Sequence, residues 1–313
     1  MKLNSTILIL LSAFSAISKD STWTLITKVP IYKGIELLPH VNNKDEALIS
    51  YLDTKGIHSI SILTKNEMKR SMSFKNLDRP PIIAKGSNSI IITIDTSWNK
   101  EIMEVDFKVG SILNTSPLLL DQERNEKYCS IDKGEIARIF YQENRELWLN
   151  KGLNLKPIKY NFENFIQSAN FLNKDTILVL SKTESILKIS LLDVQRENML
   201  SLQKVNLSIL NENVKELDDF NIKADGGIYC VWCYNKQNNE TLVFLINIRS
   251  GRVAKSFKFH SKIADIAWNE KNIWLVNVTA LTPNMYLDFP KENRPFLEGQ
   301  VFHGRFNSDL AEF

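Results

Sequence analysis

Residues 226–259 read GGIYCVWCYNKQNNETLVFLINIRSGRVAKSFKF, and this stretch decides the fold. Three apolar runs, IYCVWCY, TLVFLINI and VAKSFKF, are parted by the polar turns KQNNE and RSGR. β-Branched and aromatic side chains suit a pleated backbone, while Asn and Gly tolerate the dihedrals of a chain reversal, so the pattern is a three-stranded meander. A lone meander leaves its apolar faces in water. It needs partners of its own kind, and the chain supplies them.

The first strand of each hairpin starts near Ile7 (ILILLS), Ala47 (ALISYL), Ile90 (IIITID), Ile139 (IFYQ), Ile177 (ILVLSK), Ile228 (IYCVWCY) and Ile273 (IWLVNV), at intervals of 40, 43, 49, 38, 51 and 45 residues. Repeats in the forties with several strands each are the mark of a propeller. Second strands follow in TWTLITKV, HSISIL, EIMEVDF, ELWLN, ILKISLLDV and TLVFLINI, third strands in KRSMSF, MLSLQKV and VAKSFKF, and fourth strands in FIQSANFL and IADIAWNE. The expectation is an all-β, seven-bladed β-propeller of WD-repeat type forming a single domain over residues 1–313. Residues 201–219 are expected as a helix or a long connection between blades five and six, and Pro80-Pro81 as a rigid, extended entry to blade three.

Composition sets the class. Of 313 residues, 43% are hydrophobic and 24% charged, globular values that exclude wholesale disorder. A net charge of +3 gives no whole-body attraction to nucleic acid. No apolar run is long enough for a membrane-spanning helix. Residues 2–17 combine a lysine, a short apolar core and small residues. They read as the first propeller strand, with a secretory signal peptide as the alternative. Three cysteines, an odd number, argue against an exported disulfide framework.

Cys230-Val-Trp-Cys233 matches the C-x-x-C of redox and zinc sites. Positions three apart on a strand face opposite ways, so the two thiols are expected in separate parts of the core rather than on one ligand. His40, His58, His260 and His303 are scattered and lie in no nucleophile motif, with His260 expected to bond an aspartate in a turn. Asp218-Asp219 reads as a solvated pair. Gly-rich phosphate loops, G-x-S-x-G and H-E-x-x-H are absent, so the sequence implies no cofactor, no metal and no enzymatic activity. Two carboxylates in the central funnel would be the one route to hydrolysis on such a fold. Basic clusters at Lys69, Arg70, Lys75 and Arg79, at Lys151, Lys156 and Lys159, and at Lys255, Lys258 and Lys262 are either solvated faces or a track for phosphates.

Residues 69–107, 165–198 and 253–277 together resemble, in order, the non-catalytic WD-repeat subunit of the eukaryotic tRNA (guanine-N7)-methyltransferase. Where that family carries a basic run that contacts the methyltransferase, this chain has Glu143-Asn144-Arg145-Glu146-Leu147-Trp148, followed by Lys151. The resemblance implies a nuclear scaffold in tRNA processing, a catalytic methyltransferase as protein partner, tRNA reached through the complex, and partner contacts at Arg145, Glu146 and Lys151. A secreted propeller that binds or hydrolyses a ligand in its funnel, or a scaffold of another complex, is the alternative.

Overall fold

The computed structural model describes residues 23–305 except 32, 40–42, 44, 54–56, 76, 78–81, 86–88, 96–99, 108–109, 118–124, 131–134, 142–144, 153–154, 184–185, 197, 207–216, 226, 252, 270–271 and 281–296. They form six four-stranded antiparallel sheets. Strand β1 (Thr24–Ile31) belongs to the sheet of the last blade. Blade 1 is β2 (Lys33–Pro39), β3 (Ala47–Leu52), β4 (Ile57–Leu63) and β5 (Met68–Lys75). Blade 2 is β6 (Ile82–Ile83), β7 (Ser89–Asp95), β8 (Lys100–Asp106) and β9 (Ile112–Pro117). Blade 3 comprises β10 (Asn125–Ser130), β11 (Ile136–Tyr141), β12 (Glu146–Asn150) and β13 (Ile158–Asn161). Blade 4 comprises β14 (Ile166–Asn173), β15 (Thr176–Lys182), β16 (Ile186–Asp193) and β17 (Met199–Asn206). Blade 5 is β18 (Leu217–Asp225), β19 (Ile228–Asn235), β20 (Glu240–Asn247) and β21 (Val253–Phe259). Blade 6 takes β22 (Ile263–Trp268), β23 (Asn272–Ala280) and β24 (Leu297–Arg305), and is completed by β1, which pairs with β24 from Thr24↔His303 to Ile31↔Leu297.

The first strand of a blade lies against the first strand of its neighbour, as β2 does on β22, β10 on β14 and β14 on β18, so these strands line the axis. Burial follows from that arrangement. The second strand has a sheet neighbour on each edge and a blade on each face. β3 and β11 are buried at every position, whereas the outermost β13 alternates between half-buried and exposed. Six apolar clusters fill the six gaps between blades. The gap between blades 4 and 5, for example, holds Leu178, Leu187, Ile189, Phe220, Val231 and Phe244. Turns use the expected chemistry. Asn235 Oδ1 accepts from the backbone N–H of Gln237 and Asn238, and Asn247 Oδ1 accepts from Arg249 and Ser250. These turns then pass through left-handed Asn239 (φ 53°) and Gly251 (φ 65°).

The ring therefore has six blades, not seven, and the expected blade boundaries are displaced by one strand. Ala47, Ile90, Ile139, Ile177, Ile228 and Ile273 belong to β3, β7, β11, β15, β19 and β23, each the second strand from the axis. The expected fourth strands FIQSANFL and IADIAWNE are β14 and β22, the inner strands of the blades that follow. The apolar signal marks the strand buried on all sides, not the strand that starts the repeat. TWTLITKV is no blade's second strand: its described part is β1, the outer edge of blade 6. The expected strand at Ile7 and Pro80-Pro81 lie outside the described residues. Of residues 201–219, the two ends are strand, in β17 and β18, and 207–216 lie outside the described residues.

Candidate functional site: the axis and the rim of blade 3

Charged side chains from inner strands meet at the axis. Lys223 on β18 donates to Asp265 Oδ2 on β22 at 2.6 Å and to the Leu37 carbonyl on β2 at 2.5 Å. The same Asp265 Oδ2 accepts the Leu37 N–H at 2.7 Å, and Oδ1 accepts the Ile266 N–H at 2.8 Å. One buried lysine and one buried carboxylate thus tie blades 5, 6 and 1 together, with side-chain exposures of only 9% and 8%. Such a pair survives burial because its remaining donors and acceptors meet backbone groups. Lys127 on β10 bridges blade 3 to Glu36 on blade 1. Lys85, just past β6, reaches across the ring to the Ala224 carbonyl of blade 5 at 2.7 Å. Its backbone bridges to β10 on both sides, donating to the Tyr128 carbonyl and accepting from Ser130 N–H, each at 2.9 Å.

Electrostatics at the axis follow burial and neighbours. Desolvation lowers the Lys85 pKa below the usual lysine value, with Asp225 and Cys129 opposing it and Lys223 reinforcing it. At Lys127 desolvation also acts downward, but Glu36 and Asp265 outweigh it and the pKa is raised. Burial pushes the Cys129 thiol up to about 11, against the nearby Lys85. The axis is therefore crossed by lysines, and its carboxylates Glu36 and Asp265 each carry an ammonium partner. Groups of three or more His, Cys, Asp or Glu residues able to hold a metal ion are absent among the described residues.

The three expected partner contacts fall on blade 3 but not together. Arg145 immediately precedes β12, where its guanidinium covers the exposed Phe165 ring at 5.1 Å and its carbonyl accepts the Phe162 N–H at 2.8 Å. Glu146 pairs with Lys159 at 2.6 Å. Lys151 leaves the far end of β12, roughly 20 Å along the strand direction from Arg145. There it donates to the Gln195 carbonyl of blade 4 at 3.3 Å. Arg145 and Glu146 thus sit on one face of the disc and Lys151 on the other.

Behind the rim runs a ladder that the sequence did not disclose. Lys159 lies over the Trp148 ring at 5.3 Å, and Trp148 stacks on its cross-strand partner Phe140 with centroids 6.0 Å apart. Arg138 lies over Phe140 at 4.5 Å and pairs with Glu126, which also accepts the Tyr128 hydroxyl at 2.8 Å. Alternation alone puts Arg138 and Phe140 on one face of β11. That a buried arginine would find its carboxylate on β10 needed the register of the sheet.

The remaining sequence candidates resolve as structure. Cys230 and Cys233 are both fully buried, form no disulfide and pack in different gaps, 5/6 and 4/5, as the strand geometry predicts. Burial raises the Cys230 pKa well above the thiol range. His260 is exposed and meets Glu240 at 2.9 Å rather than an aspartate. His58 Nε2 meets the Leu77 carbonyl at 3.0 Å, and His303 Nε2 meets Asn272 at 3.0 Å. His40 lies outside the described residues. Asp218 and Asp219 are not simply solvated, for they pair with Lys236 and Lys262. Of the basic clusters, Lys69 pairs with Glu67 at 2.8 Å and Lys258 with Glu240 at 3.6 Å, so several of these charges serve surface ion pairs.

Fold and axis together define a six-bladed β-propeller. No protein-family model matches the chain, and no curated protein matches its sequence. Among solved structures, a luciferin-regenerating enzyme superposes with a TM-score of 0.53 at 9% identity, covering 91% of this chain and 95% of that one. Sqt1 from Saccharomyces cerevisiae gives 0.47 at 8% identity over 82% of each chain. TolB from Acinetobacter baumannii gives 0.43 at 13% identity over 77% of this chain and 56% of its own. At such identities the first likeness is one of fold.

Proposed function

We propose that the protein is a non-enzymatic scaffold that holds a protein partner on the outside of its propeller. The observation that carries this reading is the state of the axis. Among the described residues, its lysines and the carboxylates Glu36 and Asp265 are engaged in bonds between blades, so neither of these carboxylates is available as half of a hydrolytic pair. The sequence resemblance supplies a specific partner: the catalytic subunit of a tRNA (guanine-N7)-methyltransferase, in the nucleus, with tRNA reached through the complex. Arg145 and Glu146 then present one contact face beside the exposed Phe165, and Lys151 belongs to a second contact on the opposite face. Purification of the tagged protein should bring down a methyltransferase, and deletion should remove N7-methylguanosine from tRNA. Unchanged tRNA modification would eliminate that partner.

Export is the second reading, and one observation favours it. The ring is completed by β1 from Thr24 onward, so the apolar run at residues 7–17 is not required to close the six described blades. That removes the main reason for reading it as a strand and supports a secretory signal peptide. The intact mass of the mature chain decides: loss of about fifteen residues from the amino terminus supports export, and a retained Met1 region ends it.

A further inference from the structure

Each blade ends in an outermost strand that has no further strand paired on its outer edge among the described residues, and proteins blunt such edges with lysines, prolines, bulges or brevity. Five of the six outer strands here carry at least two charges, a proline or no more than four residues. β5 carries Lys69, Arg70 and Lys75. β9 has only Asn114–Pro117 beyond its bulge and ends on proline. β13 has four residues, including Lys159. β21 carries Lys255 and Lys258, and β1 carries Lys28 and Pro30.

β17 is the exception. Beyond its bulge between Met199 and Ser201 it runs regularly along β16 from Ser201 to Asn206, with Lys204 as its single charge and no proline. At its open end Met199 and Leu200 are 51% and 48% exposed. Lys204 is exposed and lies directly opposite Lys188 in the sheet. Like charges in that position repel. Lys188 has Glu163 at 3.5 Å, whereas Lys204 has no acidic partner among the described residues.

Building on the scaffold reading, we propose that the β17 edge is where an extended, acid-bearing segment of the partner protein docks as a fifth strand of blade 4. The backbone of the segment would pair with residues 201–206, a carboxylate would face Lys204, and an apolar side chain would cover Met199 and Leu200. Strand addition draws affinity from main-chain hydrogen bonds and specificity from alternate side chains, and both are on offer here. A second copy of the chain fits less well. Two discs meeting along one short edge bury far less than the roughly 1,600 Å² of a standard interface, and they bring Lys204 no carboxylate.

The test uses the full chain and a short synthetic peptide of alternating threonine and valine with one aspartate. Hydrogen exchange read by mass spectrometry should slow about tenfold or more over residues 199–206 when peptide is added, and not in the other outer strands. A peptide with a central proline should give no protection. Lys204→Glu should lose the response to the aspartate peptide and gain one to the same peptide with lysine in its place. Protection that ignores this charge exchange, survives the proline or appears on another edge overturns the proposal. So does concentration-dependent dimerisation that protects β17 without peptide, which would make a second copy the occupant. If a natural partner still co-purifies with Lys204→Glu, the scaffold reading stands and the docking edge is wrong.

Discussion

The gap between blades 4 and 5 and the gap between blades 2 and 3 do the same job with different chemistry. Between 4 and 5, fourteen described residues from Leu178 to Ile246 form an apolar cluster that includes Phe220, Phe244 and Tyr229. Between 2 and 3 the buried apolar cluster shrinks, among the described residues, to Ala84, Ile91, Ile102, Tyr128 and Ile136. Ion pairs and hydrogen bonds take its place. Blade 2 contributes Glu104, which accepts from Ser89 at 2.5 Å, and blade 3 contributes Glu126 with Arg138 and Tyr128. The difference lies in what each gap tolerates. An apolar gap loses stability in proportion to the volume removed, whereas a charged one fails when a single partner is left behind and recovers when both are replaced.

The largest effect should come from the apolar gap. Phe220→Ala removes a ring that is 2% exposed and should cost about 3–5 kcal/mol in urea unfolding. A loss under about 1 kcal/mol would mean that the gap repacks freely and the contrast is false. Arg138→Met should cost about 3–4 kcal/mol by stranding Glu126, and the double variant with Glu126→Leu should recover most of it. If the double variant is as unstable as the single one, blade 3 depends on the pair for more than charge balance. Cys233→Ser places a hydroxyl in the apolar gap and should cost about 1–3 kcal/mol without altering any redox or metal property. The smallest effect is in pH. Burial, opposed in part by the Leu77 carbonyl and Asp53, holds His58 below its ordinary pKa of 6.5. The unfolded chain then binds the proton more readily, so stability falls as pH drops below about 6.5. His58→Gln should flatten that slope in thermal melts between pH 7 and 5.

Part of this was legible in the sequence. Strand character, the repeat and the meander of blade 5 follow from local composition. The two faces of Cys230 and Cys233 follow from the twofold period of a strand. The phase of the repeat was hidden because the inner strands trade apolar residues for Lys127, Lys223 and Asp265, which weakens the hydrophobic signal where a blade begins. The axial network was hidden for another reason. Lys223 bonds a carbonyl 186 positions away, and Asp265 accepts an N–H 228 positions away. No local pattern encodes those pairs. Blade number failed with them, since ILILLS at residues 7–12 has the apolar content of a strand and nothing local says whether a ring needs it.

The pairing of β1 with β24 also sets an order of events during synthesis. Residues 24–31 leave the ribosome before residues 297–305, their strand partners among the described residues, which follow more than 260 positions later. At bacterial or eukaryotic elongation rates that is a wait on the order of tens of seconds. Blades 1 to 5 are each complete as soon as their own strands emerge, so they can stack in sequence while β1 trails as an unpaired strand. Ring closure must then bring distant segments together, a non-local contact of the kind that slows folding. Newly made chains are thus most exposed to aggregation just before blade 6 is finished, and a chaperone that shields β1 would act in that interval.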